Sequence, residues 1–167
     1  RNALPIKQVE LQEIQHKLEE TSDLVRGGRW PALTKTVTKC QSLLKKYQSR
    51  IIQELPNDKK KIAEKTFIEL KENFDSLQDF AKSKNKYSFI ATRKEALDKI
   101  GGLEEYFLPN QFPYDIPEEF DNLPRLLGRA KVNIKTSKGD MKAIVDGFNA
   151  PLTAGAFVDL SSKNFYK

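Results

Sequence analysis

The feature that most constrains this chain is one apolar seam that runs through residues 30–55. Its members recur at spacings of three and four residues: Trp30, Leu33, Val37, Cys40, Leu44, Tyr47, Ile51 and Leu55. Side chains at these spacings share one face of an α-helix, which turns once about every 3.6 residues. The seam therefore predicts a helix of about seven turns that buries a continuous stripe against other elements.

Three further segments of residues 1–108 show the same periodicity. The apolar positions of the first segment are Leu11, Ile14, Leu18 and Val25. Those of the third segment are Ala63, Phe67, Leu70, Phe74, Leu77 and Ala81, and those of the fourth are Tyr87, Ile90, Leu97 and Ile100. Because an isolated helix of this kind gains little stability alone, the pattern predicts an up-down-up-down bundle of four helices in residues 1–108.

Turn-forming residues separate these segments. Gly27-Gly28 is expected to end the first helix, and Pro31 suits the first turn of the second. Pro56 is expected to end the second helix, with Asn57 or Asp58 capping the third. The polar stretch Lys82 to Lys86 then separates the third helix from the fourth, and Gly101-Gly102 is predicted to close the fourth.

Residues 109–127 change in character, because four prolines interrupt any helix there: Pro109, Pro113, Pro117 and Pro124. Aromatic side chains such as Phe112, Tyr114 and Phe120 are interleaved with the prolines. We interpret this segment as an extended linker that lies against a surface and orders its flanking parts, with a plain linker as the alternative.

Residues 128–167 begin with a period of two. Val132 and Ile134 alternate with polar side chains, which predicts a half-buried strand. A turn at residues 137–140, a returning strand from Met141 to Val145 and a short helix from Leu152 to Leu160 follow. The whole chain is thus expected to belong to the α+β class, mainly α, with a hairpin and a helix after the bundle. An isolated hairpin is marginal in water, so we expect the native chain to continue beyond Lys167.

The net charge is +6, and residues 1–108 carry 21 basic and 16 acidic side chains. This excess is mild and lacks the dense basic stripe of a nucleic-acid binder, so no nucleic-acid partner is predicted. The only basic clusters are Lys59-Lys60-Lys61 and the group of Lys82, Lys84 and Lys86. We expect the exposed lysines of the bundle to steer it toward an acidic surface. No run of about 18 apolar residues exists, so no membrane insertion is predicted.

Chemistry-bearing residues are sparse. Cys40 lies within the apolar seam and is interpreted as a core residue, and His16 lies off the apolar face and is interpreted as a surface residue. No phosphate-binding loop, dinucleotide fingerprint, nucleophile elbow or metal-ligand spacing is present. Glu118-Glu119 is interpreted as a solvated pair. We therefore assign no catalytic, cofactor-binding or metal-ligating residue and no cofactor.

Two stretches near the end of the chain resemble a known family. Residues 132–140, Val-Asn-Ile-Lys-Thr-Ser-Lys-Gly-Asp, look like the first strand and turn of a cyclophilin. Residues 149–160 look like the first helix of that family, and Asn164-Phe165-Tyr166 matches the loop that follows. Ala156 departs from the pattern, because many cyclophilins have a polar residue before the phenylalanine. The resemblance implies that residues 128–167 are the start of a cyclophilin-like domain.

The rest of the chain resembles the multidomain cyclophilins of the thylakoid lumen. Four features occur in the same order: residues 1–6, the four-helix region, residues 100–105 and residues 112–119. In that family a bundle similar to the PsbQ-type extrinsic subunit precedes a cyclophilin-like domain. The resemblance implies a location in the chloroplast thylakoid lumen or its cyanobacterial equivalent. It also implies a role as a folding or scaffold factor in photosystem II assembly or maintenance, with photosystem II or another thylakoid complex as the partner.

Cyclophilins are peptidyl-prolyl cis-trans isomerases, which lower a rotation barrier of about 18–20 kcal/mol. In the family, the arginine that donates to the prolyl nitrogen follows the Phe-Tyr loop. Arg125 and Arg129 precede the first strand and do not match that motif, so no catalytic residue is carried over. Two alternatives stay open: an active isomerase when full length, and a PsbQ-like structural subunit of a photosynthetic complex.

Overall fold

A computed structural model describes residues 6, 8–108 and 112–166 of the chain. Residues 1–5, 7, 109–111 and 167, which include Pro109 and five of the six residues of the 1–6 motif, lie outside the described part. The chain divides into two compact units. One unit is Ile6–Phe107, and the other begins at Leu108.

Four long helices build the first unit, and they agree closely with the predicted periodicity. Helix α1 is Val9–Arg26, α2 is Trp30–Glu54, α3 is Asn57–Lys82 and α4 is Lys86–Glu105. Helix α1 packs against α2 and α4, and α3 packs against α2 and α4, so the four helices form a ring joined by short loops. The predicted four-helix bundle and the α+β class are therefore confirmed.

The core of the bundle is built from the predicted stripes of the first three helices. All the apolar positions predicted for α1 and α3 are buried, and so are those of α2 except Trp30 and Tyr47, which are half-buried. Phe67 and Phe74 are among the largest fully buried side chains. Burying a large apolar side chain stabilises a fold by about 1.5–3 kcal/mol, so these side chains are the main source of favourable burial in the bundle.

Helix α4 differs from the prediction in the face that it buries. Tyr87 is 87% exposed and Ile90 is 46% exposed, although both were predicted to be core residues. The buried stripe consists instead of Phe89, Ala96, Ile100 and Leu103. Two apolar stripes compete on this helix, and the one that is buried contains Phe89, one of the largest fully buried side chains of the described residues.

Two helix boundaries also differ from the prediction. Gly101-Gly102 lies inside α4, which continues to Glu105, so these glycines do not close the helix. Helix α3 begins at Asn57 itself, and no side chain caps its first turn. The prediction that Asn57 or Asp58 caps this helix is therefore wrong. Pro56 precedes the helix in extended geometry, and its carbonyl accepts a hydrogen bond from the Lys59 N–H at 2.9 Å.

The described part of the second unit contains a two-stranded antiparallel sheet, one α-helix and, in the proline-rich segment, a single 3-10 turn at Glu118–Phe120. Strand β1 is Arg129–Thr136, β2 is Gly139–Asp146 and helix α5 is Pro151–Ser162. Ile134 lies opposite Met141 and Thr136 lies opposite Gly139, so residues 137 and 138 form the turn. The predicted alternation of β1 is confirmed, because Ala130, Val132 and Ile134 are half-buried and their neighbours are exposed.

Candidate interaction surface

The only cysteine of the chain is a core residue, as predicted. Cys40 is fully buried on α2, and burial raises the pKa of its thiol from 9.0 to about 12. A thiol with so high a pKa carries almost no thiolate at neutral pH, and the thiolate is the nucleophilic form. His16 is exposed, as predicted. In residues 6, 8–108 and 112–166, no group of three His, Cys, Asp or Glu side chains is placed to hold a metal ion.

The two arginines expected before the first strand have structural contacts, and Arg129 is the first residue of β1 rather than a residue before it. Arg125 Nη2 donates to Asp121 Oδ1 at 2.7 Å and to the Phe120 carbonyl at 3.2 Å. Arg129 Nη2 donates to Asp146 Oδ2 at 3.1 Å, which joins the outer ends of β1 and β2. These contacts place both guanidinium groups in local ion pairs of the second unit.

The end of the proline-rich segment packs closely on the hairpin and α5. The Leu126 N–H donates to the Pro151 carbonyl at 3.0 Å, and the Gly147 N–H donates to the Gly128 carbonyl at 2.8 Å. A Cβ at Gly147 would lie 1.9 Å from the Leu126 oxygen, and one at Gly155 would lie 2.4 Å from the Arg125 Cα. Both positions therefore require glycine, because the backbone of residues 124–128 occupies the place of a side chain.

Aromatic contacts tie the proline-rich segment to the same unit. The rings of Phe112 and Phe148 stack with centroids 5.9 Å apart, and Tyr114 meets Phe112 edge-on at 5.5 Å. A shallow groove of about 310 Å³ lies between residues 115–120 and the start of α5. It is lined mainly by apolar side chains, among them Ile116, Phe120 and Pro151.

The two lysine clusters of the bundle lie at opposite ends. Lys59, Lys60 and Lys61 are in the first turn of α3, beside the α2–α3 loop. Lys82 ends α3, Lys84 lies in the α3–α4 loop and Lys86 begins α4. This loop lies at the same end as the α1–α2 loop because neighbouring helices are antiparallel. Tyr87 and Ile90, exposed on the first turns of α4, lie beside the second cluster.

Two features of the bundle surface were missed by the sequence interpretation. Lys84 adopts a left-handed backbone conformation with φ of 56°, which is uncommon for a residue with a side chain. Arg93 joins α4 to α1, donating to the Leu18 carbonyl at 3.0 Å and to Thr21 Oγ1 at 2.9 Å. The sequence does contain a signal for this contact. Arg93 is a basic residue at helical spacing between Phe89 and Ala96, so it lies on the buried face of α4 and needs acceptors there.

Comparison with known proteins identifies relatives over the whole chain. The family profile described as "Peptidyl-prolyl cis-trans isomerase CYP38-like, PsbQ-like domain" matches residues 1–108. The putative thylakoid lumen peptidyl-prolyl cis-trans isomerase of Synechocystis sp. is 40% identical over 166 residues, which are 99% of this chain and 44% of that protein. The chloroplastic peptidyl-prolyl cis-trans isomerase CYP38 of Arabidopsis thaliana is 31% identical over 177 residues, which are 99% of this chain and 40% of that protein.

The chain thus spans less than half the length of these two relatives. Their names confirm the resemblance predicted from the sequence. The first name gives the thylakoid lumen and the second the chloroplast, in agreement with the predicted location. In the described residues, no helix is long and apolar enough to cross a membrane. The chain therefore belongs to the CYP38-like family and carries the PsbQ-like domain of that family in residues 1–108.

Proposed function

We propose that this chain acts in the thylakoid lumen as part of a cyclophilin-like folding or scaffold factor for photosystem II assembly or maintenance. The observation that carries the proposal is a four-helix bundle with one continuous apolar core that matches the PsbQ-like domain of the family. Its core is closed by its own four helices, so its charged outer surface is available to a partner. The names of the relatives support the location and the cyclophilin relationship.

We propose three functional parts of the chain. They are a bundle in residues 1–108, a proline-rich segment in residues 109–127 and the start of a cyclophilin-like domain from residue 128. In this division the bundle binds the partner, and the remainder connects it to the folding activity of the whole protein. The packing of residues 124–128 on Gly147 and Gly155 supports an ordered end of the proline-rich segment within the second unit.

The lysines at the start of α3 are the first contact surface to test. Lys61 is exposed and Lys60 is half-exposed, while Lys59 lies 3.3 Å from Asp58 and 5.8 Å from the centre of the Tyr106 ring. Charged groups of this kind raise the rate of encounter with an oppositely charged partner, and salt screens the effect over about 10 Å.

The experiment measures association of the full-length protein with isolated photosystem II complexes at several salt concentrations. The triple variant Lys59→Glu, Lys60→Glu and Lys61→Glu is expected to associate about tenfold more slowly at low salt, with little change in dissociation. Unchanged association rates in this variant, or no binding by the unaltered protein, would contradict the proposal.

An active isomerase is the second candidate, favoured by the cyclophilin pattern of residues 132–140 and 149–160. A proline-peptide isomerisation assay of the full-length protein tests it, because uncatalysed exchange takes tens of seconds or longer. Turnover well above that background would favour the enzyme. Stable, stoichiometric purification with a photosynthetic complex would instead favour a PsbQ-like structural subunit.

A further inference from the structure

We propose that the end of the bundle formed by the α1–α2 and α3–α4 loops docks on the surface of an anionic lipid bilayer. We call this surface the loop end; it consists of residues 23–30 and 79–87, with Ile90 beside them. The inference goes beyond the proposed function, because a protein partner does not require a lipid contact at this end.

The charge of the loop end is positive. Residues 23–30 and 79–87 contain five basic and two acidic side chains, a net charge of +3. The basic residues are Arg26, Arg29, Lys82, Lys84 and Lys86. The opposite end is mixed in sign, because Lys59, Lys60 and Lys61 share it with acidic side chains. Those acids are Glu10, Glu54, Asp58, Glu104 and Glu105.

Ordinary helix chemistry accounts for only part of this charge. Arg26 and Lys82 lie in the last turns of α1 and α3, where a cation favours the helix dipole. Each also pairs with an acid one turn earlier, at 3.7 Å in both cases. Within the described part of the chain, by contrast, Arg29, Lys84 and Lys86 are exposed and have no ion pair. These three cations are free to meet anions outside the protein.

The two loops provide an internal comparison that singles out Lys84. Both loops have the same hydrogen-bond pattern: Arg29 N–H to the Leu24 carbonyl in one, and Asn85 N–H to the Phe80 carbonyl in the other, at 2.9 Å each. The left-handed position of this motif is Gly28 in the first loop, with φ of 64°, and Lys84 in the second, with φ of 56°. This position favours glycine, because a left-handed backbone is unfavourable for a residue with a Cβ. The second loop has a lysine there at a cost in conformational energy.

Exposed apolar side chains lie next to these cations. Tyr87 follows Lys86 directly, and Ile90 is one turn further along α4. Both are exposed side chains on a helix surface rather than members of the core. The cations can bind the anionic headgroups of a bilayer, and the exposed aromatic and aliphatic side chains can enter the apolar region beneath the headgroups.

The test uses the full-length protein and vesicles of phosphatidylcholine, either alone or mixed with an equal amount of phosphatidylglycerol. We expect co-sedimentation with the anionic vesicles only, and a decrease in binding as salt is raised. The triple variant Lys82→Glu, Lys84→Glu and Lys86→Glu should bind on the order of 100-fold more weakly. The matched control, Lys59→Glu, Lys60→Glu and Lys61→Glu, has the same change in net charge and should keep vesicle binding within about twofold.

A second variant separates docking from folding. Lys84→Gly relieves the left-handed conformation and should raise the thermal unfolding midpoint by about 3 °C. The same variant should weaken vesicle binding about fivefold, because one cation is lost. A stabilised bundle that docks less well is a result that a purely structural role of Lys84 would not produce.

The only tryptophan of the chain reports the orientation. Trp30 begins α2 at the loop end, so lipids brominated on their acyl chains should quench its fluorescence on docking. Absence of binding to anionic vesicles, or equal losses in the two triple variants, would overturn the proposal. Binding to polyglutamate but not to vesicles, lost in the Lys82, Lys84 and Lys86 variant, would overturn it in favour of an acidic protein partner.

Discussion

Cys40 illustrates how the core controls the chemistry of one residue. Its thiol is fully buried among apolar side chains of the bundle, and this burial raises its pKa from 9.0 to about 12. The folded state therefore holds the thiol proton more tightly than the unfolded chain does. A group with a raised folded-state pKa contributes stability that is complete below its unfolded pKa and is lost as the pH rises toward its folded pKa.

We predict that this thiol makes the bundle more sensitive to alkali. From about pH 9 to about pH 10, the unaltered chain should lose about 1 kcal/mol more unfolding free energy than Cys40→Ala, because only the unfolded thiol ionises. Urea unfolding of both proteins at the two pH values measures the difference. Parallel pH dependences would show that the thiol is not protected in the core.

Arg93 is a charged residue within the apolar stripe of α4, whereas Cys40 is an uncharged residue within the stripe of α2. Its guanidinium group donates to the Leu18 and Glu19 carbonyls at 3.0 Å each and to Thr21 Oγ1 at 2.9 Å. We predict that Arg93→Ala destabilises the bundle by about 2–3 kcal/mol, because buried acceptors on α1 lose a charged donor. Arg93→Lys should recover less than half of this loss, since an ammonium lacks the planar fork of donors. An Arg93→Lys variant as stable as the unaltered chain would contradict this role.

At the scale of elements, α4 shows the limit of periodicity. The chain offers two apolar stripes on this helix, one through Tyr87 and Ile90 and one through Phe89 and Ala96, and Ile100 fits both. The stripe predicted from the sequence is the first one. The structure buries the second, in which Phe89 is fully buried and from which Arg93 reaches acceptors on α1.

The two glycines within α4 lead to a prediction at this scale. A Cβ at Gly101 or Gly102 would have no atom within 4 Å, and both glycines lie inside the helix. The double variant Gly101→Ala and Gly102→Ala should therefore stabilise the bundle by about 1–2 kcal/mol, because alanine loses less backbone entropy in a helix. Thermal unfolding measures the gain.

The matched control is Gly28→Ala. Gly28 has φ of 64°, a conformation that an L-residue with a side chain adopts at a cost of about 1–2 kcal/mol. The control should therefore be destabilising. A loss of stability in the α4 double variant would mean that the helix needs its glycines for a reason other than backbone freedom.

At the scale of the whole molecule, the chain forms two compact units with different kinds of core. The bundle buries about twenty apolar residues, whereas in the unit from Leu108 onward the buried apolar side chains among the described residues are Phe148 and Ala154. Several apolar side chains of that unit are exposed, including Ile144 at 59% and Phe165 at 66%. Close backbone packing at Gly147 and Gly155 contributes much of its order.

We predict that Gly155→Ala disrupts the second unit and leaves the bundle intact. Alanine has a higher helix propensity than glycine, so propensity alone would stabilise α5. We expect a loss of stability instead, because the added Cβ would lie 2.4 Å from the Pro124 oxygen and from the Arg125 Cα. Trypsin should then cleave after Arg125 at least tenfold faster, while the main thermal transition of the bundle changes by less than about 2 °C.

Gly128→Ala is the control within the same unit. A Cβ at Gly128 would have no atom within 4 Å, so this variant should resist trypsin like the unaltered chain. If Gly155→Ala is equally resistant, the packing of residues 124–128 on α5 is not required for the order of this unit. If the bundle melts early in that variant, the two units are not independent.

The sequence alone determined the elements whose pattern is local and repeated. The seams of α1, α2 and α3, the alternation of β1 and the turn at Gly27-Gly28 follow from helix and strand periods and from backbone sterics, and all of them are confirmed. Only the tertiary structure decided which stripe of α4 faces the core, why Gly147 and Gly155 must lack a side chain, and that five basic residues share one end of the bundle. These properties depend on contacts between residues far apart in the chain, and a period of two or 3.6 residues carries no information about such contacts.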